Sequence, residues 1–202
     1  MSSPVIPSAG RGAVIPSAGR GAARGALAHD RRAAAAPGPQ GLAGPAVTPD
    51  RFRGLMAHWP TAVSVVTARA GNTPTGCTVN ALMSLSVEPP LLIVSLAGGS
   101  RTLDAIRRSG TFAVNLLCWE QRDLCQRFAC GSHEERFRGV DVELRDDAPV
   151  LTHAAASVVC TVAQTMACAD HVLILGAPRW HTCADHRSPL VLHRRSYHRV
   201  GA

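Results

Sequence analysis

Lysine is absent from the 202 residues, so every positive side chain behind the formal charge of +7 is an arginine. That excess divides into +4 before Asp50 and +3 from Asp50 onward, which makes it mostly a property of the amino-terminal tail. Aromatic residues are sparse as well: four Phe, three Trp and one Tyr. A chain that must furnish its core from so few has no stripe of interleaved basic and aromatic residues left to stack bases, which argues against nucleic-acid binding. Arginine in place of lysine, beside abundant Ala, Gly and Pro, fits a coding bias toward GC. No apolar run approaches the ~18 residues of a spanning helix, so membrane insertion is not expected. The seven cysteines are odd in number and contain no CxxC pair, which suits a reducing cytoplasm better than a disulfide framework. GxSxG, HExxH and any Ser-His-Asp order are missing, leaving hydrolase chemistry without support. The lack of a GxGxxG after a strand removes a dinucleotide-binding doubly wound sheet.

What is present begins with a repeat. Residues 5–13, VIPSAGRGA, recur at once as 14–22, and the stretch to about Pro45 continues in Ala, Gly, Pro and Arg. Such a composition does not bury enough surface to offset chain entropy, so residues 1–48 are expected to be a disordered tail and residues 49–202 one folded domain. Thr48-Pro49-Asp50 opens a helix carrying Phe52, Leu55 and Met56, which Pro60 ends. Strands are expected over Ala62–Ala68, Leu82–Val87, Leu91–Leu96, Phe112–Leu117, Ser157–Thr165, His171–Ala177 and Leu190–Tyr197, with a turn over Arg69–Pro74. Short helices are expected over Thr102–Arg108 and Glu120–Phe128. Many short strands without regular strand–helix alternation indicate a mainly β, antiparallel, closed or nearly closed barrel with a few flanking helices.

Function concentrates in residues 75–102, TGCTVNALMSLSVEPPLLIVSLAGGSRT. Small residues let a flat ring lie close to the backbone, Ser and Thr hydroxyls give directed hydrogen bonds, and Arg101 supplies a forked cation suited to phosphate. The ligand implied is planar at one end and anionic at the other. Ser100-Arg101-Thr102 also opens a helix, whose amino end favours an anion. The blander readings are a packing seam of small residues and an ordinary cap with a solvated arginine. His181, Cys183, Asp185 and His186, or Cys168 with His171, fit no common zinc spacing, so no metal is expected. Cys77 is taken as a packing residue.

This segment resembles the flavin reductase-like proteins with an FMN-binding split barrel. The likeness extends to Phe52-Arg53-x-x-Met56, Pro60–Thr67, Thr111–Leu117, Gln121–Phe128, Arg136-Phe137, Ala169-Asp170-His171 and Pro189-Leu190 through Arg195-x-Tyr197. It implies that Thr78, Val79, Asn80 and Ala81 flank the flavin ring, with Ser84, Leu85 and Ser86 along the adjoining part of the site. Ala97, Ser100, Arg101 and Thr102 would hold the phosphate end, with Arg136 adding charge. His171, oriented by Asp170, would be the catalytic residue facing the nicotinamide, and Arg195 and Tyr197 would approach the same ligands. Four positions depart from the family pattern: Ala81 where serine is frequent, Glu135 and Arg136 where Asp-Lys is usual, and Ala169 where glycine is general. If the Ala169 turn needs a positive φ, the backbone there is expected to differ from the family norm.

The resemblance further implies an NAD(P)H-dependent flavin reductase, a split-barrel homodimer taking FMN or FAD and NADH or NADPH. Reduced flavin would pass to a partner monooxygenase or halogenase. Two other uses of the same pocket stay open: a flavin-dependent oxidase or oxygenase acting on its own organic substrate, and a noncatalytic flavin-binding protein.

Overall fold

A computed structural model describes residues 47–200. The repeat and most of the tail, residues 1–46, lie outside the described residues. Helix α1, Pro49–Met56, starts where the cap residues place it: proline occupies its first turn and the Thr48 hydroxyl accepts the Arg51 N–H at 3.4 Å. None of its residues is buried, and Phe52, Leu55 and Met56 stay substantially exposed among the described residues.

Strands β1 (Thr61–Ala62), β2 (Ser64–Ala70) and β3 (Thr73–Val79) follow. The turn expected over Arg69–Pro74 shrinks to Gly71-Asn72. The Arg69 guanidinium donates to Gly71 O at 3.0 Å and Asn72 Oδ1 at 2.9 Å, and the ladder stays paired to Ala70 and Thr73. Strands β4 (Leu82–Val87) and β5 (Pro90–Ala97) flank Glu88-Pro89, and helix α2 (Arg101–Ser109) stops at Gly110, whose φ of 70° closes it. After β6 (Thr111–Leu116), the expected helix over Glu120–Phe128 becomes a 3-10 turn at Trp119–Gln121 followed by α3, Arg122–Cys130. A short α4, His133–Arg136, is held by reciprocal bonds between Ser132 and Glu135.

One hairpin has no counterpart in the sequence-based expectation, and at the carboxyl end the plainer alternative to a ligand-facing Arg195-x-Tyr197, a surface hairpin, is what forms. β7 (Val142–Arg145) and β8 (Ala148–Leu151) are joined by Asp146-Asp147, both at positive φ. The single last strand is in fact β11 (Leu190–His193) and β12 (Ser196–Arg199), joined by Arg194-Arg195 at φ 50° and 64°. Between these lies the long hairpin of β9 (Ala156–Cys168) and β10 (His171–Cys183).

The main sheet is antiparallel and seven-stranded, in the order β3-β2-β6-β9-β10-β5-β4, beside a three-stranded sheet β1-β11-β12. Its edge strands β3 and β4 are linked by Asn80-Ala81 and are not hydrogen-bonded to each other in the ladder. Val63 to Ala68 is buried on both faces of β2, unlike a half-exposed strand. Val66 and Ala68 join Leu103, Ile106, Phe112 and Ile174 in one core under α2. Val63 and Val65 join Leu117, Phe128, Leu151 and Leu190 in another.

A polar staple crosses between these layers. The Asn115 amide donates to Val65 O (3.0 Å) and Thr67 Oγ1 (3.1 Å), and its oxygen accepts from Leu151 N (2.9 Å) and Ser157 Oγ (3.0 Å). The Thr67 hydroxyl in turn donates to Pro149 O. Asn115 is fully buried with its amide satisfied, so it ties β6 to β2, β8 and β9 without an orphaned group. Among the described residues no helix is long and apolar enough to cross a membrane.

Candidate functional site

The β5–α2 junction brings together one group of expected residues. His171 pairs with Ala97 across the ladder, Gly98 N–H donates to Asp170 O at 2.9 Å, and Ser100 N–H to Ala97 O at 3.0 Å. The start of α2 is thereby tied to the β9–β10 turn. Ser100 is the N-cap residue, yet its side chain makes no capping bond, so the first-turn N–H groups of α2 keep their capacity for another acceptor. Arg101 is exposed there.

Arg136 arrives from α4. Its guanidinium donates to Gly131 O at 3.0 Å and to Gly76 O at 2.7 Å, which anchors the charge against β3. Ser100, Thr102 and Arg136 all lie around Cys77. Burial pushes the Cys77 thiol up, against the pull of the two hydroxyls and the arginine, so it is no ready nucleophile. Thr102 differs from expectation: it is 1% exposed and its hydroxyl meets Thr75 Oγ1 at 3.3 Å, leaving its side chain to packing.

The β3–β4 corner holds the second group. Thr78 donates its hydroxyl to Cys125 O at 2.7 Å, and Val79 is buried in the α2 core, so neither side chain projects freely. Asn80 and Ala81 are exposed, and Ala81 O accepts Ser95 N–H at 3.1 Å. They line a cleft of about 400 Å³ with Arg195. Arg53, Met56, Trp59 and Arg194 share that cleft and were not anticipated from the sequence. Their signals were the Phe52-Arg53-x-x-Met56 motif and the doubled arginine.

Ser84 and Ser86 do not share a face. Ser84 pairs with Leu92 and Ser86 with Leu91, which leaves Leu85 as an extra residue in a β-bulge and sets the two hydroxyls on opposite pleats. Tyr197 also turns inward, donating its hydroxyl to Cys125 Sγ at 3.1 Å and packing on the second core. That bond, with burial behind it, pushes its phenol up to about 12.

His171 stands 46% exposed with Nδ1 at 2.8 Å from Asp170 Oδ1. The imidazole holds the Asp170 carboxyl below its ordinary value. A bond at Nδ1 fixes the ring and leaves Nε2 directed outward. Ala169, beside it, has φ 53°. Alanine adopts this left-handed conformation at a cost of roughly 1–2 kcal/mol, without the glycine that would take it freely.

A larger hollow of about 550 Å³ lies at β7–β8, with His153, Trp180 and Arg187 among its lining, and contains none of the expected residues. Its cations are engaged: Arg145 bonds Glu143 at 2.6 Å and covers the Trp180 ring, and Arg187 meets His153 at 3.2 Å. The expected residues that remain exposed, Arg101 at the start of α2 and Asn80, Ala81 and Arg195 at the 400 Å³ cleft, lie instead toward the two ends of β3. That arrangement provides a track for a ligand with an anionic end and a flat end.

Comparison with known proteins gives the same picture. Residues 56–201 match the flavin reductase like domain. An NADH-dependent FMN reductase, AsuE2, of Streptomyces nodosus subsp. asukaensis is 39% identical over 72% of this chain and 82% of its own length. The reductase subunit HsaB of a flavin-dependent monooxygenase from Rhodococcus jostii is 32% identical over 77% of this chain and 80% of its own. A protein of Rhizobium meliloti named as a probable flavin reductase is 38% identical over 63% of this chain, which spans only 42% of that longer relative. Among solved structures, the Streptomyces globisporus NADH:FAD oxidoreductase SgcE6, in complex with NAD and FAD fragments, superposes with a TM-score of 0.71 at 27% identity. The match covers 78% of this chain and 98% of that one.

Proposed function

Because the chain belongs to the flavin reductase like domain family, we propose that it is an NADH-dependent flavin reductase in which the strand ladder curls into a split barrel around FMN or FAD. The observation that carries this reading is the uncapped start of α2, with Arg101 exposed on it and Arg136 bonded to Gly76 O beside it. These groups fit a phosphate: the backbone N–H donors at the start of α2 and the guanidiniums of Arg101 and Arg136 favour an anion, with Asp104 the acidic residue in the first turn of α2. The exposed Asn80 and Ala81 fit a ring lying close to the backbone. Bound flavin would supply the acceptor for a hydride from nicotinamide C4, with one proton taken from solvent. His171, fixed through Nδ1, orients the donor with its outward nitrogen. Such chemistry needs alignment more than acids and bases, which accounts for a site without a triad.

Exposed apolar residues on two elements support a homodimer. On edge strand β4, Met83, Leu85 and Val87 are exposed, Val87 by 86%, and on α1 so are Phe52 and Leu55. An unpaired apolar edge strand is a site that proteins cover. The reduced flavin would pass to a partner monooxygenase or halogenase, in keeping with the HsaB relative's name. Free thiols at the exposed Cys130, Cys168 and Cys183 suit the cytoplasm. The test is NADH consumption followed against added free FMN or FAD. Turnover that rises with free flavin supports the reductase, turnover only with an organic substrate supports an oxygenase, and none supports a noncatalytic binder.

A further inference from the structure

The 400 Å³ cleft carries more cation than a flavin ring requires. Arg53 comes from α1 and Arg194 and Arg195 from the β11–β12 turn, elements well over a hundred residues apart in sequence. A backbone bond from Arg194 N–H to Ala57 O, 2.8 Å, draws them together. Among the described residues neither Arg194 nor Arg195 forms an ion pair, while Arg53 meets only the exposed Asp50, at 2.5 Å. The same cleft is lined by the apolar Met56, Trp59 and Leu192, with Trp59 56% exposed. Guanidiniums around an uncommitted aromatic plane suit a ligand that is both polyanionic and flat.

This second cationic place is separate from the start of α2. Thr102 meets β3 at Thr75, whereas the cleft begins at Asn80, five residues further along extended chain, or roughly 16 Å at ~3.3 Å per residue. A flavin with its phosphate at α2 and its ring against Asn80 and Ala81 therefore places no anionic group among Arg53, Arg194 and Arg195, which are left to another.

The turn residues support a selected role for these charges. Both Arg194 and Arg195 occupy positive φ, in a two-residue hairpin loop of the kind that favours Asn-Gly. Keeping two arginines there is the costlier choice for the fold.

We propose that Arg53, Arg194 and Arg195 bind the adenylate arm of a dinucleotide, with the guanidiniums on the pyrophosphate and Trp59 against the purine. The inference rests on the flavin reductase reading, in which two dinucleotides carry such an arm: NADH and FAD. The decisive variant is R194N/R195G, which removes both cations while installing residues the turn prefers, so a folding defect is not expected. R53Q supplies a second, independent removal of charge.

Equilibrium dialysis with ADP at low salt reads the arm directly, and FMN, which lacks the arm, is the control. The wild type is expected to bind ADP, and each variant to bind it at least about tenfold more weakly, with a smaller loss for FMN. In turnover with FMN as acceptor, a matching rise in KM for NADH assigns the cleft to the donor. A rise confined to KM for FAD assigns it to the flavin's own arm. No ADP binding by the wild type, or variants with unaltered ADP binding and unaltered KM for both NADH and FAD, overturns the proposal. Failure of the wild type to bind FMN would instead defeat the underlying flavin reading.

Discussion

Replacing Asn115 with leucine tests the scaffold behind the site, because the side-chain volume is nearly kept while every hydrogen bond is lost. Leu151 N–H and the Ser157 hydroxyl both donate to Asn115 Oδ1, and both residues are nearly fully buried, at 2% and 3% exposure. Each orphaned buried group costs ~1–3 kcal/mol, so the variant should lose about 2–6 kcal/mol before any smaller loss at Val65 O and Thr67. With a urea dependence of ~2 kcal/mol per molar, the unfolding midpoint should fall by about 1–3 M, read by tryptophan fluorescence and far-ultraviolet dichroism. Asn115→Asp refines the test. Its carboxyl retains the acceptor for Leu151 and Ser157, and when protonated it regains one donor for Val65 O. Desolvation raises its folded pKa above the unfolded value of ~3.9, so the protonated form is favoured in the native state. Its stability should thus be best preserved in acid and lost as pH rises above ~4 toward the raised folded value. A leucine variant within about 0.5 kcal/mol of the parent, or an aspartate variant that gains stability on raising pH, would refute the staple.

Tyr197 is the only tyrosine, so absorbance at 295 nm reports it alone: phenolate should appear near pH 12 in the folded protein and near 10 once unfolded. A folded pKa raised in this way means its contribution to stability is present below pH ~10 and is lost between ~10 and 12. Gly176→Ala should destabilise by about 1–3 kcal/mol in a melt, since a Cβ there would lie 2.6 Å from Phe112 Cζ and 2.9 Å from Cys160 Cβ. Arg101→Ala should weaken FMN binding by about tenfold or more with little change in KM for NADH, whereas His171→Ala should mainly impair use of the nicotinamide. Wild-type kinetics in both variants would remove those roles.

The strand boundaries legible in the sequence were those with covalent punctuation. Glu88-Pro89 separates β4 from β5, which Pro90 opens, and Gly110 stops α2. The turns at Asp146-Asp147 and Arg194-Arg195 carry no Gly signal; aspartate tolerates positive φ, whereas arginine seldom adopts it. The buried run from Val63 to Ala68 does not show the alternation of a one-faced strand, because α2 covers one side and the α3–β11 region the other.

The site divides in the same way. Ser100, Arg101 and Arg136 were readable as anion-binding residue types near a helix start. Arg53 and Arg194 were not, since their proximity depends on the Arg194–Ala57 backbone bond between distant segments. The bulge at Leu85 was invisible too, and it breaks the period of two that would have set Ser84 and Ser86 side by side. Thr102 and Tyr197 were assigned to ligands by position, but packing takes the hydroxyl of each.

The most direct test of the account compares FMN with riboflavin by equilibrium dialysis against the purified chain. If the α2 start, Arg101 and Arg136 grip the phosphate, FMN should bind at least about tenfold more tightly than riboflavin, with the difference shrinking as salt is raised. Equal affinity for the two, or no association with FMN at all, would contradict it.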